Sequence, residues 1–352
     1  AGEIDADGAL GLTLQLEELA LVMIKTLPPV ANDPNFVPLT QQSVTYTAVQ
    51  ASGGASIVGI EDFVLQGKLN VAMNMADVNG HVVDFAASAA LNEATFGDAS
   101  GLKVQTGTNP DTDITIVDFN RELTQVSGEL TLQIAEYVYL SGEFAFSQDG
   151  PVDVTLSDSV GTIKQGMNLL RIGASNVDAF VGVGGPYFVD KDGLDNNNDG
   201  TIDEEGEIQP EGAMGVVLSD LEIALALFKP EVVKDATGQP VGIVDKSSYY
   251  ALTASGGVEV VGIDAVTIRA DVLTVAVNGG TDGIANTAND PVINFVASAA
   301  ANEEIFGSTE GLKVLTGPDP DGSDPLKAPF RIINFTEATL QAAGDITLII
   351  DE

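Results

Sequence analysis

Between Asp190 and Glu207 the chain concentrates oxygen donors: Asp190, Asp192, Asp195, Asn197, Asp199, Thr201, Asp203, Glu205 and Glu207. Asp195, Asn197 and Asp199 alternate with other residues, and Gly200 follows them. Hard oxygen ligands two residues apart, then a glycine that permits a sharp turn, are what a loop needs to wrap a Ca²⁺ ion. Seven carboxylates fall between Asp190 and Glu205, and without a cation they would repel one another. The competing reading is a solvated Asp/Asn/Gly turn that holds no metal. Two further loops carry the same residue types. Asp319, Asp321 and Asp324 surround Gly322, and Asn109, Asp111 and Asp113, spaced by two, occupy the equivalent loop earlier in the chain.

The first run resembles EF-hand-like calcium loops, over about a dozen residues. With Asp195 as the first position, Asn197 and Asp199 match the third and fifth, and Gly200 the sixth. Thr201 would offer its carbonyl at the seventh, and Asp203 matches the ninth. Gly206 stands where that family places a bidentate Glu, with Glu205 and Glu207 on either side. The resemblance implies Ca²⁺ as the ligand and leaves the closing residue open.

Other chemistry finds few carriers. The single histidine, His81, sits in the loop phrase Asn79-Gly-His-Val and reads as an exposed loop residue rather than part of a Ser–His–Asp site. With no Cys, thiol catalysis, Cys-ligated zinc and disulfides are excluded. Paired carboxylates abound, but a sugar-cleaving site also needs aromatic platforms, and the chain has no Trp and six Tyr. Gly182-Val-Gly-Gly185 precedes Pro186 and not a helix, so it is no phosphate loop. Arg121, Arg171, Arg269 and Arg331 are scattered, which suits salt bridging better than the cationic site of a calcium-dependent polysaccharide lyase. The expectation is a protein that is not an enzyme.

Fourteen basic residues against 52 acidic ones give 14 − 52 = −38 formal charges. That balance excludes partners that want Lys and Arg, namely nucleic acid and anionic membranes. No apolar run approaches a membrane helix in length. Yet 44% of residues are hydrophobic, too many for an acidic disordered tail. The composition suits a secreted, extracellular protein that collects cations.

Internal repetition organises everything else. Glu3-Ile-Asp-Ala-Asp-Gly-Ala-Leu-Gly11 returns as Glu207-Ile-Gln-Pro-Glu-Gly-Ala-Met-Gly215, and the register runs on to Lys25 and Lys229. Leu69-Asn-Val-Ala-Met-Asn74 returns as Leu273-Thr-Val-Ala-Val-Asn278, and Gly128-Glu-Leu-Thr-Leu132 as Gly344-Asp-Ile-Thr-Leu348. The phrase from Phe85 to Val104 is echoed from Phe295 to Val314. Two homologous units follow: residues 1–206, ending in the acidic loop 190–207, and residues 207–352, which stop short of a second such loop. Units out of phase with the chain, and an opening without Met or signal peptide, read as a segment of a longer tandem array.

Short branched or aromatic phrases dominate, from Thr45–Val49 through Phe180–Val183, separated by Gly, Asn or Asp, and each reads as a strand of about five residues. Leu16–Lys25 and Leu221–Lys229 fit either helix or strand. Ala86–Phe96 and Val296–Phe306, Ala-rich with Gly directly after, predict a short helix in each unit with a C-terminal glycine cap. The predicted fold is mainly β: an elongated β-solenoid-like stack of short strands in two units. The alternative is tandem β-sandwich modules.

Duplication, acidity, absence of Cys and phrases such as Leu140-Ser-Gly-Glu-Phe-Ala-Phe146 and Ala254-Ser-Gly-Gly257 resemble repeat segments of very long bacterial secreted or surface proteins. That resemblance implies an adhesin or fibre. The expected function is a calcium-stabilised rod or filament subunit of the cell surface, partnered by copies of itself or neighbouring repeat units. The alternative is an adhesin module that binds a surface glycan or protein through its loops.

Overall fold

Branched and aliphatic side chains at alternating positions favour extended chain, and in the computed structural model the repeated phrases are strands. The structure describes residues 10–26, 44–77, 80–185, 187–188, 212–232, 239, 245–281, 290–319 and 328–350. Three strands open it: β1 (Gly11–Lys25), β2 (Thr45–Val58) and β3 (Phe63–Met75). An insert follows, made of α1 (Phe85–Leu91), α2 (Glu93–Phe96) and the hairpin β4 (Leu102–Gln105) and β5 (Ile114–Val117). The chain then returns to the sheet as β6 (Leu123–Ile134) and adds the hairpin β7 (Val138–Thr155) and β8 (Ile163–Val183). The first pattern now recurs as β9 (Met214–Pro230), β10 (Ser248–Val261) and β11 (Val266–Thr281). A second insert contains α3 (Phe295–Ala301), α4 (Glu303–Phe306), β12 (Leu312–Leu315) and β13 (Phe330–Ile333), and β14 (Thr339–Ile350) closes the set.

The ten long strands form one large sheet in the order β1-β2-β3-β6-β7-β8-β9-β10-β11-β14, which does not close into a barrel. The registers of β7 through β11 and β14 are antiparallel. The chain is therefore mainly β, as its residues predict, but the strands are not five residues long. They run from 12 residues in β6 to 21 in β8. The glycines read as breaks lie inside strands. A Cβ on Gly142 would meet the Val177 side chain at 2.7 Å, so glycine here permits close approach without ending the strand.

Bulges cross these strands near their middles. The register shifts between Ser141 and Glu143, between Ala174 and Val177, and between Ser255 and Gly257. Asn176 and Asp220 both carry a φ of 50°. Because side chains alternate with period two, one extra residue exchanges the faces beyond it. β9 shows the effect: Val217 is buried ahead of the bulge, and Ala224, Ala226 and Phe228 after it. One strand thereby serves two hydrophobic clusters.

Leu16–Lys25 and Leu221–Lys229, open between helix and strand by sequence, belong to β1 and β9. The predicted Ala-rich helices are present, but each is two short helices broken at an asparagine. The N-cap Asp84 accepts from the Ala87 amide at 2.7 Å, and Asn294 from Ala297 at 3.0 Å. Asn92 and Asn302 interrupt with φ of −137° and −138°. Gly97 and Gly307 then end the second helices at φ 80° and 71°, the left-handed cap expected of them.

Two compact units follow from the internal contacts. One comprises residues 1–14, 54–69 and 127–352, the other residues 15–53 and 70–126. This division cuts across β1, β2, β3 and β6, whereas the sequence boundary between Gly206 and Glu207 lies outside the described residues. The larger unit holds two clusters. One joins Val152, Val154, Leu156, Met167 and Leu169 to Ala224, Phe228, Tyr249 and the second insert. The other gathers Tyr139, Phe180, Tyr187, Phe188 and Val217, with Phe180 and Tyr187 stacked at 6.0 Å. The smaller unit packs Ala20, Val22 and Ala48 beneath Phe85 and Val117 of the first insert. Among the described residues no helix is long and apolar enough to cross a membrane.

Candidate functional site

The principal metal candidates, Asp190, Asp192, Asp195, Asn197, Asp199, Thr201, Asp203, Glu205 and Glu207, lie outside the described residues, as do Asp321 and Asp324. Asp319 is half-buried. Asn109, Asp111 and Asp113 are brought together, but as a self-contained turn. The Asn109 amide donates to Asp113 Oδ2 at 2.8 Å, Thr112 Oγ1 to Asp113 Oδ1 at 2.9 Å, and the Asp111 amide to Asn109 Oδ1 at 3.1 Å. The Asn109 amide above all, then the Thr112 hydroxyl, holds the Asp113 carboxyl below its ordinary pKa. Among the described residues no three carboxylate or imidazole groups converge on one point.

His81 stands where its loop places it, at the surface, with 72% of its side chain exposed. Its amide donates to Asp77 Oδ1 at 2.9 Å, and its Nδ1 lies 3.4 Å from Oδ2 of the same carboxylate. A cleft of about 730 Å³ opens beside Ile60, Asp62, Phe63, Gln133, Glu136 and Tyr137. Among the described residues its lining brings two carboxylates and no Lys, Arg or His.

The most elaborate polar chemistry lies elsewhere, where β7 and β8 meet the second insert. Arg171 on β8 donates to Asp149 Oδ2 on β7 at 2.5 Å, with both side chains nearly buried. The same guanidinium donates to the carbonyls of Ile305 at 2.9 Å and Lys313 at 3.0 Å, so it ties helix end and ribbon to the sheet. An arginine suits this place because its planar fork serves several acceptors while remaining charged. Burial foremost, then Arg171, pushes the Lys313 ammonium below its ordinary pKa, and its Nζ lies over the Phe330 ring at 4.3 Å.

Around this ion pair the insert grips backbone. The Thr155 amide donates to Ser298 Oγ at 2.9 Å, Asn302 Nδ2 donates to the Asp153 carbonyl at 2.8 Å, and Ser175 Oγ to the Thr316 carbonyl at 3.0 Å. Leu156 and Ile293 form a bridge of their own. Glu222 on β9 pairs with Arg331 of the ribbon. In the smaller unit the matching glutamate, Glu18, accepts from Thr115, which occupies the position of Arg331, and from Thr106 at 3.3 Å.

Each insert is also clamped at its base. Asn278 Nδ2 donates to the carbonyls of Ile293 and Glu337, both at 3.0 Å. Asn74 does the same to Val83 at 3.0 Å and Arg121 at 2.9 Å. These asparagines and Arg171 were not read as functional from the sequence. A signal existed for the asparagines: each recurs as the same polar residue at the end of the repeated phrase, Leu69–Asn74 and Leu273–Asn278. For the arginine there was none, since its strand occurs once.

All of these groups recognise main-chain carbonyls, amides and each other. None is arranged as nucleophile and base around a space for a reacting atom. The arrangement is that of a joint, able to dock one element on another. No protein-family model, curated protein or solved structure matches the chain.

Proposed function

We propose that the chain is a structural, non-enzymatic part of an extracellular surface protein, a rod or filament subunit whose repeat units extend a common β-structure. One observation carries the reading: the two copies of the repeat are joined through β7 and β8 within the same sheet. A repeat that passes its sheet to its successor makes length out of copy number, and shape is then the product. In this reading the sheet advances unit by unit in the manner of a solenoid.

Calcium is the second part of the proposal. Asp195, Asn197, Asp199, Thr201 and Asp203 would supply the ligands, with Glu205 or Glu207 closing the site. An ion that binds only the ordered loop adds RT ln(1 + [L]/Kd) to stability. At millimolar calcium and a Kd of order 10⁻⁵ M, that is about 2.7 kcal/mol. Chelation should lower the melting temperature and expose the segment 190–207 to protease. The double variant Asp195→Ala/Asp199→Ala should melt where the chelated wild type does and no longer respond to calcium. Equal melting with and without calcium would remove the ion from the proposal. Electron microscopy of tandem copies, scored for rods whose length scales with copy number, tests the scaffold itself.

A further inference from the structure

The two inserts are copies, yet one is covered more completely than the other. Ser298, Phe306, Leu312 and Val314 are fully buried; their counterparts Ser88, Phe96, Leu102 and Val104 are half-buried. The cause is visible in the second copy. There β7 and β8 contribute Val152, Val154, Leu156, Met167 and Leu169 to the cluster beneath the insert. Among the described residues the cluster of the first copy is built from β1, β2 and its insert, with no counterpart of those five residues.

The strand beside the insert tells the same story. β9 lies between β8 and β10, and Ile223, Leu225 and Leu227 on it are half-buried. At the matching positions of β1, Leu19, Leu21 and Met23 are 46%, 54% and 67% exposed. Among the described residues β1 ends the sheet. An unpaired edge flanked by apolar side chains is a template for another strand.

We infer that the outer edge of β1, together with the first insert, is a docking surface for a β-hairpin of the β7–β8 kind carried by a neighbouring repeat unit. The inference rests on the scaffold reading above and names the partner it needs. The second copy specifies the recognition chemistry. β8 sets Leu169 opposite Phe228 and Arg171 opposite Ala226, positions that correspond to Ile24 and Val22 on β1. An incoming leucine therefore falls across Ile24 and an incoming arginine across Val22. From there the guanidinium reaches the carbonyls of Thr95 and Lys103, which stand where Ile305 and Lys313 stand in the second insert. Ser88 and Asn92, in the places of Ser298 and Asn302, hold the backbone of the companion strand. An acid on that strand, in the role of Asp149, completes the pair.

A second copy of the chain docking through β14 fits less well. Among the described residues β14 also ends the sheet, and its Leu340, Ile346 and Leu348 are 88%, 71% and 61% exposed. Its sequence from Thr339 to Ile350 contains no basic residue for the two carbonyls. Its counterpart β6 contributes nothing to the cluster beneath either insert.

The test extends the full chain at its N-terminus with a copy of residues 138–204, which reproduces the spacing between β8 and β9 ahead of β1. Hydrogen exchange followed by mass spectrometry reads residues 15–25 and 85–105. The expected result is at least ~10-fold slower exchange in both segments than in the unextended chain. Replacing the leucine and arginine that copy Leu169 and Arg171, in the extension alone, should abolish the gain without touching the original chain. Unchanged exchange in the extended chain overturns the inference, and so does equal protection by the doubly substituted extension. Protection that appears in the unextended chain as its concentration rises assigns the edge to a second copy and also overturns it. Calcium response and rod formation are read in separate assays, so failure of the scaffold reading and failure of the docking surface give different results.

Discussion

Arg171→Ala is the most informative single perturbation of this fold. The Arg171 and Asp149 side chains are 9% and 2% exposed, so the carboxylate left behind cannot recover its hydration. The substitution removes the guanidinium set against Asp149 at 2.5 Å, together with the donors to the Ile305 and Lys313 carbonyls. Breaking a buried pair from one side costs about 3–5 kcal/mol, because an uncompensated charge remains. Removing both charges at similar volume, as in Arg171→Met/Asp149→Leu, is expected to cost less than the single change. Arg269 and Asp271, 3.5 Å apart and 51% and 77% exposed, supply the control. Arg269→Ala should change stability by less than ~0.5 kcal/mol. Urea unfolding at pH 7, followed by far-UV circular dichroism, measures all three. Hydrogen exchange over residues 295–315 locates the loss in the second insert. A cost below about 1 kcal/mol for Arg171→Ala, or a double variant worse than the single one, would refute the reasoning.

Phe306→Ala should cost about 3–5 kcal/mol, and Phe96→Ala clearly less, because only the first is fully buried; comparing urea midpoints of the two variants checks the order. Asn278→Ala should cost about 1–3 kcal/mol, since the carbonyls of Ile293 and Glu337 each lose a 3.0 Å donor, and faster exchange at the base of the second insert is its signature. Burial pushes the Asp178 carboxyl above its ordinary pKa; the Asp220 amide, donating at 3.1 Å, opposes the rise and the Asp220 carboxylate adds to it. A native value above the unfolded one means that ionisation works against the fold: the cost is absent below the ordinary value near 3.8 and complete once pH exceeds the raised one. Asp178→Asn keeps the acceptor and removes the charge, so it should be at least as stable as wild type at pH 7, with the advantage vanishing near pH 3.5. A variant that gains on wild type as the pH falls would contradict the sign.

The sequence determined much of the architecture. Its phrases repeat at an offset that grows from 204 to 216 residues, and the strands, inserts and glycine caps repeat with them, because the same side-chain pattern makes the same local demands on the backbone. It determined the strand character of the chain through branched residues at alternating positions, and the short helices through an Asp or Asn cap, alanines and a closing glycine. Tertiary structure decided how far each strand extends. Gly142 reads locally as a break, but Val177 on the neighbouring strand packs where its side chain would be, so pairing carries β7 through it. It also decided between helix and strand for Leu16–Lys25, whose leucines suit either until β2 supplies a partner. The joint at Arg171 belongs wholly to the tertiary level. An arginine and an aspartate 22 residues apart become an ion pair only when β7 and β8 lie side by side, and a clamp only when an insert more than 130 residues further on brings its carbonyls. Local pattern sets what a segment can become; which carbonyl meets which guanidinium is set by the long-range packing of segments that share no local signal.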